Sequence, residues 1–244
     1  MTDNMVEAVR RAFREEPRLG PGFHLDHIVV EADGVLSLRG DVASLAQKKL
    51  ALLRAAAVAG STGIADSLCV AAPPTSDREL RARLREMFAA DRDFADLDVR
   101  EDVAPGVLKT DYRPVSGAGG EARGRIDIEV EGGVVTLNGA APSLVRKRLA
   151  GALAWRIAGV RDVINGLAVQ PNEEDSPDQI EEAVRVVLER NRALDAAQIK
   201  VGVRGRTVRL TGLVHARSER QTAEGDAWAV FGVNDVINEI EVRA

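Results

Sequence analysis

One pattern occurs three times in this chain of 244 residues, and between its second and third copies it keeps register without a gap. Copy two runs Gly132-Gly133-Val134-Val135-Thr136-Leu137-Asn138-Gly139, then a helical stretch to Trp155, then Gly159-Val160-Arg161-Asp162-Val163-Ile164-Asn165-Gly166-Leu167-Ala168-Val169. Gly139 and Gly212, Trp155 and Trp228, Gly159 and Gly232, and Asn165 and Asn238 are each 73 residues apart. Copy one lies 99 residues before copy two, with Gly40, Gly60, Asp66, Leu68 and Val70 at the matching places. Repetition at a fixed offset makes each copy one structural module.

The modules are expected at 1–72, 73–172 and 173–244, because breaker-rich segments fall at Ala71-Ala72-Pro73-Pro74-Thr75 and from Gln170 to Pro177. Modules of this size sit near the lower end of independent domains, so they should lean on one another. Aromatic residues make up only 3% of the chain, which leaves the cores to aliphatic packing.

Each copy opens with an amphipathic helix. Ser76 caps a segment with Leu80, Leu84, Met87 and Phe88 on one side, and Ser176-Pro177 places a cap before a first-turn proline. Val6, Val9 and Phe13 repeat the stripe in copy one. Alternating runs follow, Ile126 to Val130 and Ile199 to Val203, each leading through a glycine-bearing turn into a second alternating run. That is a β-hairpin. The turn of copy one, at Asp33-Gly34, reads as one residue shorter than the others.

A second helix is expected from Ser44 to about Ala59, Ser143 to about Ala158, and Ala216 to about Phe231, closed by Gly60, Gly159 or Gly232. A short strand ends each copy. The chain should therefore be α+β, three tandem α-β-β-α-β modules, each with two helices on one face of a three-stranded mixed sheet.

The two offsets differ by 26 residues, which places an insertion in copy two within 91–125. Leu97, Val99, Val107 and Leu108 are spaced for an extra hairpin, with the single tyrosine, Tyr112, beyond them, and 114–120 reads as loop. An interaction arm carried by these five residues and an unconstrained loop both fit.

The motif Gly133 to Gly139, followed by Ser143, Lys147, Gly159-Val160 and the closing run Val163 to Val169, resembles the BON family, named for bacterial osmotic-stress and nodulation proteins. Copy three matches through Gly212, Arg220, Gly232-Val233 and Val236 to Val242. Copy one departs at Ser61-Thr62-Gly63 and carries Asp66 where the others have asparagine. The resemblance implies non-catalytic binding modules, associated in the family with phospholipid surfaces, envelope maintenance and stress.

The net charge of −5 contains no basic excess in any module, and the last module holds 14 acidic against 10 basic residues, which argues against a nucleic-acid partner. One cysteine, Cys69, excludes an internal disulfide and reads as an inert, partly exposed thiol. Without an apolar leader or a long apolar span, a cytoplasmic location is expected.

Catalytic chemistry is thin. His24 and His27 lack a third metal ligand, His215 stands alone, and Gly117 to Ala122 resembles a dinucleotide loop but leads into a strand. No cofactor or metal is expected, and the chain does not read as an enzyme.

Lys48, Lys147 and Arg220 recur at the start of the second helix, with Lys49 and Arg148 beside the first two. Cations there oppose the helix macrodipole, so their recurrence reads either as an anion or lipid-headgroup contact or as long stems covering the sheet edge. Trp155 and Trp228 read as core anchors. The expected function is a protein-binding scaffold with self-association. Attachment to anionic membranes, or recognition of a small solute or monovalent cation, are the alternatives.

Overall fold

The structure is a computed structural model that describes residues 2–58, 60, 62–102, 112–117 and 121–243. It contains three α-β-β-α-β modules, in two compact units, Met1–Ala71 and Ala72–Ala244.

The first unit is module 1. It comprises α1 (Thr2–Arg14), β1 (His27–Val30), β2 (Val35–Val42), α2 (Leu45–Ala56) and β3 (Gly63–Val70). β2 is the central strand, antiparallel to β1 and parallel to β3, so the sheet is mixed. Leu36, Leu38, Val42 and Leu68 point to the helix side and are buried with Val9, Phe13, Leu50 and Ala51. Alternation sends Ser37, Arg39 and Asp41 to the other face.

The second unit holds modules 2 and 3. Module 2 has α3 (Asp77–Ala90), β4 (Asp98–Asp102), β5 (Tyr112–Ser116), β6 (Arg125–Glu131), β7 (Val134–Ala141), α4 (Leu144–Trp155), β8 (Asp162–Asn165) and β9 (Ala168–Val169). Module 3 has α5 (Pro177–Glu189), β10 (Ile199–Arg204), β11 (Thr207–Val214), α6 (Arg217–Ala229) and β12 (Asp235–Val242). Module 3 repeats the three-stranded order β10-β11-β12. Module 2 is larger, a six-stranded sheet in the order β5-β4-β6-β7-β8, with β9 also on β7.

The recurrent glycines have two jobs. Gly139 and Gly212 lie where the partner strand's backbone crosses; a Cβ on Gly212 would stand 2.0 Å from the Gln198 carbonyl oxygen. Gly40 also has a positive φ, but a Cβ there would meet only the Leu25 side chain, at 3.4 Å. Gly60, Gly159 and Gly232 also have positive φ, but they lie beyond the helix ends, which come at Ala56, Trp155 and Ala229. The second helices are thus shorter than the sequence spacing suggests.

The turn of module 1 corrects the sequence reading. Ile28 pairs with Leu38 and Ile128 with Leu137, so module 1 uses one more residue between equivalent pairs, not one fewer. The Gly132-Gly133 turn is a two-residue connection with both φ positive, the geometry that suits a twisted hairpin. Module 1 spends a third residue, and only Gly34 in its turn has positive φ.

Every module also has a short 3-10 turn before its first strand, at Pro17–Leu19, Arg92–Phe94 and Ala196–Gln198. An acidic residue caps each in the same way. Glu16, Asp91 and Asp195 accept from the backbone N–H two residues on, that of Arg18, Asp93 and Ala197 respectively.

Candidate binding surfaces

The recurrent cation at the start of the second helix faces the recurrent Asp or Asn of the closing strand. Lys48 Nζ donates to the Leu68 carbonyl at 2.7 Å and lies 3.0 Å from Asp66 Oδ2. In module 2, Asn165 Nδ2 donates to the Lys147 carbonyl at 2.7 Å. In module 3, Asn238 Nδ2 donates to the Arg220 carbonyl and Arg220 Nη2 donates back to the Asn238 carbonyl, both at 3.0 Å. The position therefore ties the helix to the strand that closes the module.

This placement corrects the headgroup reading for two of the five cations. Lys48 and Arg148 are enclosed by protein, 5% and 0% exposed, so neither presents its charge to a surface. Lys49 is half-buried, and desolvation lowers its pKa to about 7. Lys147 stands 5.2 Å over the Phe231 ring, and its pKa is lowered by desolvation and then by the neighbouring Arg148 charge. Arg220 alone remains exposed.

Arg148 belongs to the seam between modules 2 and 3. From Leu149 to Ala154 the side chains of α4 are apolar and buried all the way round, as a helix packed on both sides must be. One side covers its own sheet; the other meets α5 and α6. Arg148 Nε donates to the Phe231 carbonyl at 2.9 Å and Nη2 to Asp175 Oδ1 at 2.5 Å. Arg206 Nη2 reaches the other Asp175 oxygen at 3.0 Å. Burial would raise the Asp175 pKa, but hydrogen bonds and charge from Arg148 and Arg206 outweigh it and hold the carboxyl below its usual range.

At the far end of α4, Arg156 makes a two-pronged contact with Asp226 at 2.9 and 2.8 Å, and Asn191 donates to the same carboxylate at 2.7 Å. Arg190 pairs with Asp93. None of these partners was singled out by the repeat. The available signal was the apolar run Leu149 to Ala154, whose counterpart in α6 carries Thr222, Glu224 and Gly225. Trp228, in the last turn of α6, is buried, whereas Trp155, in the last turn of α4, is only half-buried, so the two tryptophans are not equivalent anchors.

The described strands of the insertion, β4 and β5, extend the module 2 sheet. β4 lies parallel to β6, placing Val99 beside Ile126, and Leu97 and Val99 are fully buried. Burial takes these two residues out of the interaction-arm reading. The hairpin partner of β4 is β5, which includes Pro114 and Val115 from the segment read as loop. Val107 and Leu108 lie outside the described residues. On the open face Tyr112 donates to Glu129 Oε1 at 2.5 Å, with the Arg100 guanidinium 4.9 Å from its ring. Desolvation, then the Glu129 hydrogen bond and charge, push the Tyr112 pKa well above the phenol value. Arg100 also bonds Asp127 at 2.7 Å.

A cleft of about 420 Å³ in module 1 lies between Arg10, Phe13 and Arg14 of α1 and the segment Phe23 to Ile28. His24 Nε2 and Asp26 Oδ1 are 3.5 Å apart there, but the two side chains are 80% and 96% exposed, so water screens the pair. Among the described residues there is no cluster of three or more His, Cys, Asp or Glu side chains placed to hold a metal ion. Nor, among them, is any helix long and apolar enough to cross a membrane.

The BON domain model matches residues 2–72, 118–171 and 176–244, and the chain belongs to the BON domain family. In module 2 the match begins at residue 118, so it leaves out α3 as well as the insertion strands β4 and β5. The family is one of binding modules. No curated protein matches the chain by sequence. Among solved structures it is similar to the C-terminal domain of CdsD, a structural protein of the Type III secretion system of Chlamydia trachomatis, with 13% identity, a TM-score of 0.25, and coverage of 99% of this chain and 98% of that one. A second CdsD structure gives 13% identity and a TM-score of 0.25, over 98% and 92% of the two chains. A superposition that loose carries no conclusion about function.

Proposed function

We propose that the chain is a non-enzymatic binding and scaffold protein that works through protein contacts and by associating with itself. The observation that carries this reading is the one-sided sheet of module 3. α5 and α6 bury Val208, Leu210, Val236 and Ile240, while Leu213 and Ile237 on the opposite face remain 40% and 37% exposed. The enclosure of Lys48 and Arg148 turns the reading away from lipid headgroups at those positions and toward packing. The association of BON domains with stress-related roles supplies the setting.

Light scattering on the full chain across a concentration series tests the reading. The weight-average mass should rise above the 26.2 kDa of one chain as concentration increases. A constant monomer mass at high micromolar concentration and low salt would remove self-association.

A further inference from the structure

We propose that copies of this chain join head to tail through the two edges of the module 3 sheet, β12 of one copy pairing antiparallel with β10 of the next. The inference rests on the self-association reading and assigns it a surface.

An edge strand carries outward-facing N–H and C=O groups, which natural sheets usually blunt. Module 2 is blunted at both edges. The edge of β6 is covered by β4 and then by β5, which carries Pro114 at its centre, and the far edge is divided into the four-residue β8 and two-residue β9. Module 3 has neither protection. Its β6 counterpart, β10, is an outer strand, and β12 runs unbroken for eight residues. Module 2 also shows that this kind of edge accepts a further strand, since β4 occupies it.

The side chains say which strand fits. Three cross-strand rows span the open face: Lys200, Thr211, Glu239; Gly202, Arg209, Ile237; and Arg204, Thr207, Asp235. The β10 edge is thus basic at both ends and bare in the middle, and the β12 edge is acidic at both ends with an isoleucine in the middle. Placing a second copy beside the first with no shift in register sets Glu239 against Lys200, Ile237 against Gly202 and Asp235 against Arg204. The direction is antiparallel, as a translated copy requires. A Cβ on Gly202 would have nothing within 4 Å, so the exposed Ile237 side chain finds open backbone there.

The competing symmetric pairings are disfavoured by the same charges. Two β12 strands would face carboxylate to carboxylate, and two β10 strands cation to cation. The matching edges of module 1 offer no such code, because β3 presents Ala65, Ser67 and Cys69 on its open face. A contact between two different edges is heterologous, so it builds rings or filaments and does not stop at a dimer.

The test is a charge swap in the full chain, read by sedimentation velocity. One variant carries Lys200→Glu with Arg204→Glu; the other carries Asp235→Lys with Glu239→Lys. Each alone should weaken association by about tenfold or more, through like charges at the contact. An equimolar mixture should restore it, since each acidic β10 then meets a basic β12, and raised salt should weaken the restored contact. If wild type associates and both variants do so equally well, the edge assignment fails while self-association stands. A monomeric wild type sinks both. Should either double variant lose its thermal transition, Gly202→Glu, which projects into open space, must block association by itself, and unchanged association would overturn the proposal.

Discussion

Arg148 donates to Asp175 at 2.5 Å although its own side chain is wholly excluded from solvent and Asp175 is a third exposed. The charge is carried into the seam by α4 and met by the linker leading into α5. A buried guanidinium is tolerable only while its partners stay, and Arg148 uses Asp175 and the Phe231 carbonyl.

Replacing Asp175 with alanine should therefore cost about 3 kcal/mol, because Arg148 would remain buried with its counter-charge gone. Chemical denaturation of the full chain measures it. The companion Arg206→Ala should cost less, about 1 kcal/mol or below, since that side chain is 47% exposed. Equal costs would mean that burial does not set the worth of this pair.

Module 1 has an acid-sensitive site of its own. Hydrogen bonds from Arg18, and then from Arg54, overcome the burial of Glu16 and lower its pKa from 4.5 to about 2. The folded value lies below the unfolded one, so the stabilisation is complete above pH 4.5 and is lost as pH falls through 2. The shift corresponds to roughly 3 kcal/mol. Glu16→Gln should remove that contribution at neutral pH and flatten the loss of module 1 stability between those two values, as followed by urea unfolding at several pH values.

Two helix glycines should respond with opposite signs. At Gly151 in α4 a Cβ would stand 2.7 Å from Asn165 Nδ2, the amide that holds helix to strand. At Gly225 in α6 a Cβ meets nothing within 4 Å. Gly225→Ala should stabilise by about 0.5–1 kcal/mol through reduced backbone entropy in the unfolded chain, whereas Gly151→Ala should destabilise. Paired thermal melts decide it.

Tyr112 is the only tyrosine, so its titration can be followed without overlap. Its phenolate absorbance should develop only well above pH 10, and Glu129→Gln should bring the midpoint down by removing an adjacent negative charge. A midpoint at the ordinary phenol value would mean that the open-face network is not formed.

The element order was legible because each module alternates a period near 3.6 with a period of 2, and because Gly139 and Gly212 stand where only glycine fits. The 3-10 turns capped by Glu16, Asp91 and Asp195 escaped notice, since a carboxylate bonding two residues ahead leaves no periodicity to read. The seam was hidden for another reason. Repeat matching looks for what copies share, while docking depends on where they differ, as Arg148 does from Gln221. The recurrent cations show the same limit: Lys48 recurs as Lys147 and Arg220, but recurrence alone does not separate a headgroup contact from packing, and the ion pair with Asp66 across the module is seen only in the fold. In the insertion, the described strands are Asp98–Asp102 and Tyr112–Ser116, and Pro114 at the centre of the second hides it from a reading by alternation.

Native mass spectrometry of the full chain, taken from its own cells, tests the scaffold reading most directly, because stoichiometry and any retained molecule are read together. The account predicts masses at multiples of 26.2 kDa, or one chain with a bound polypeptide. A single chain carrying a stoichiometric small molecule, with no higher species at any concentration, would contradict it.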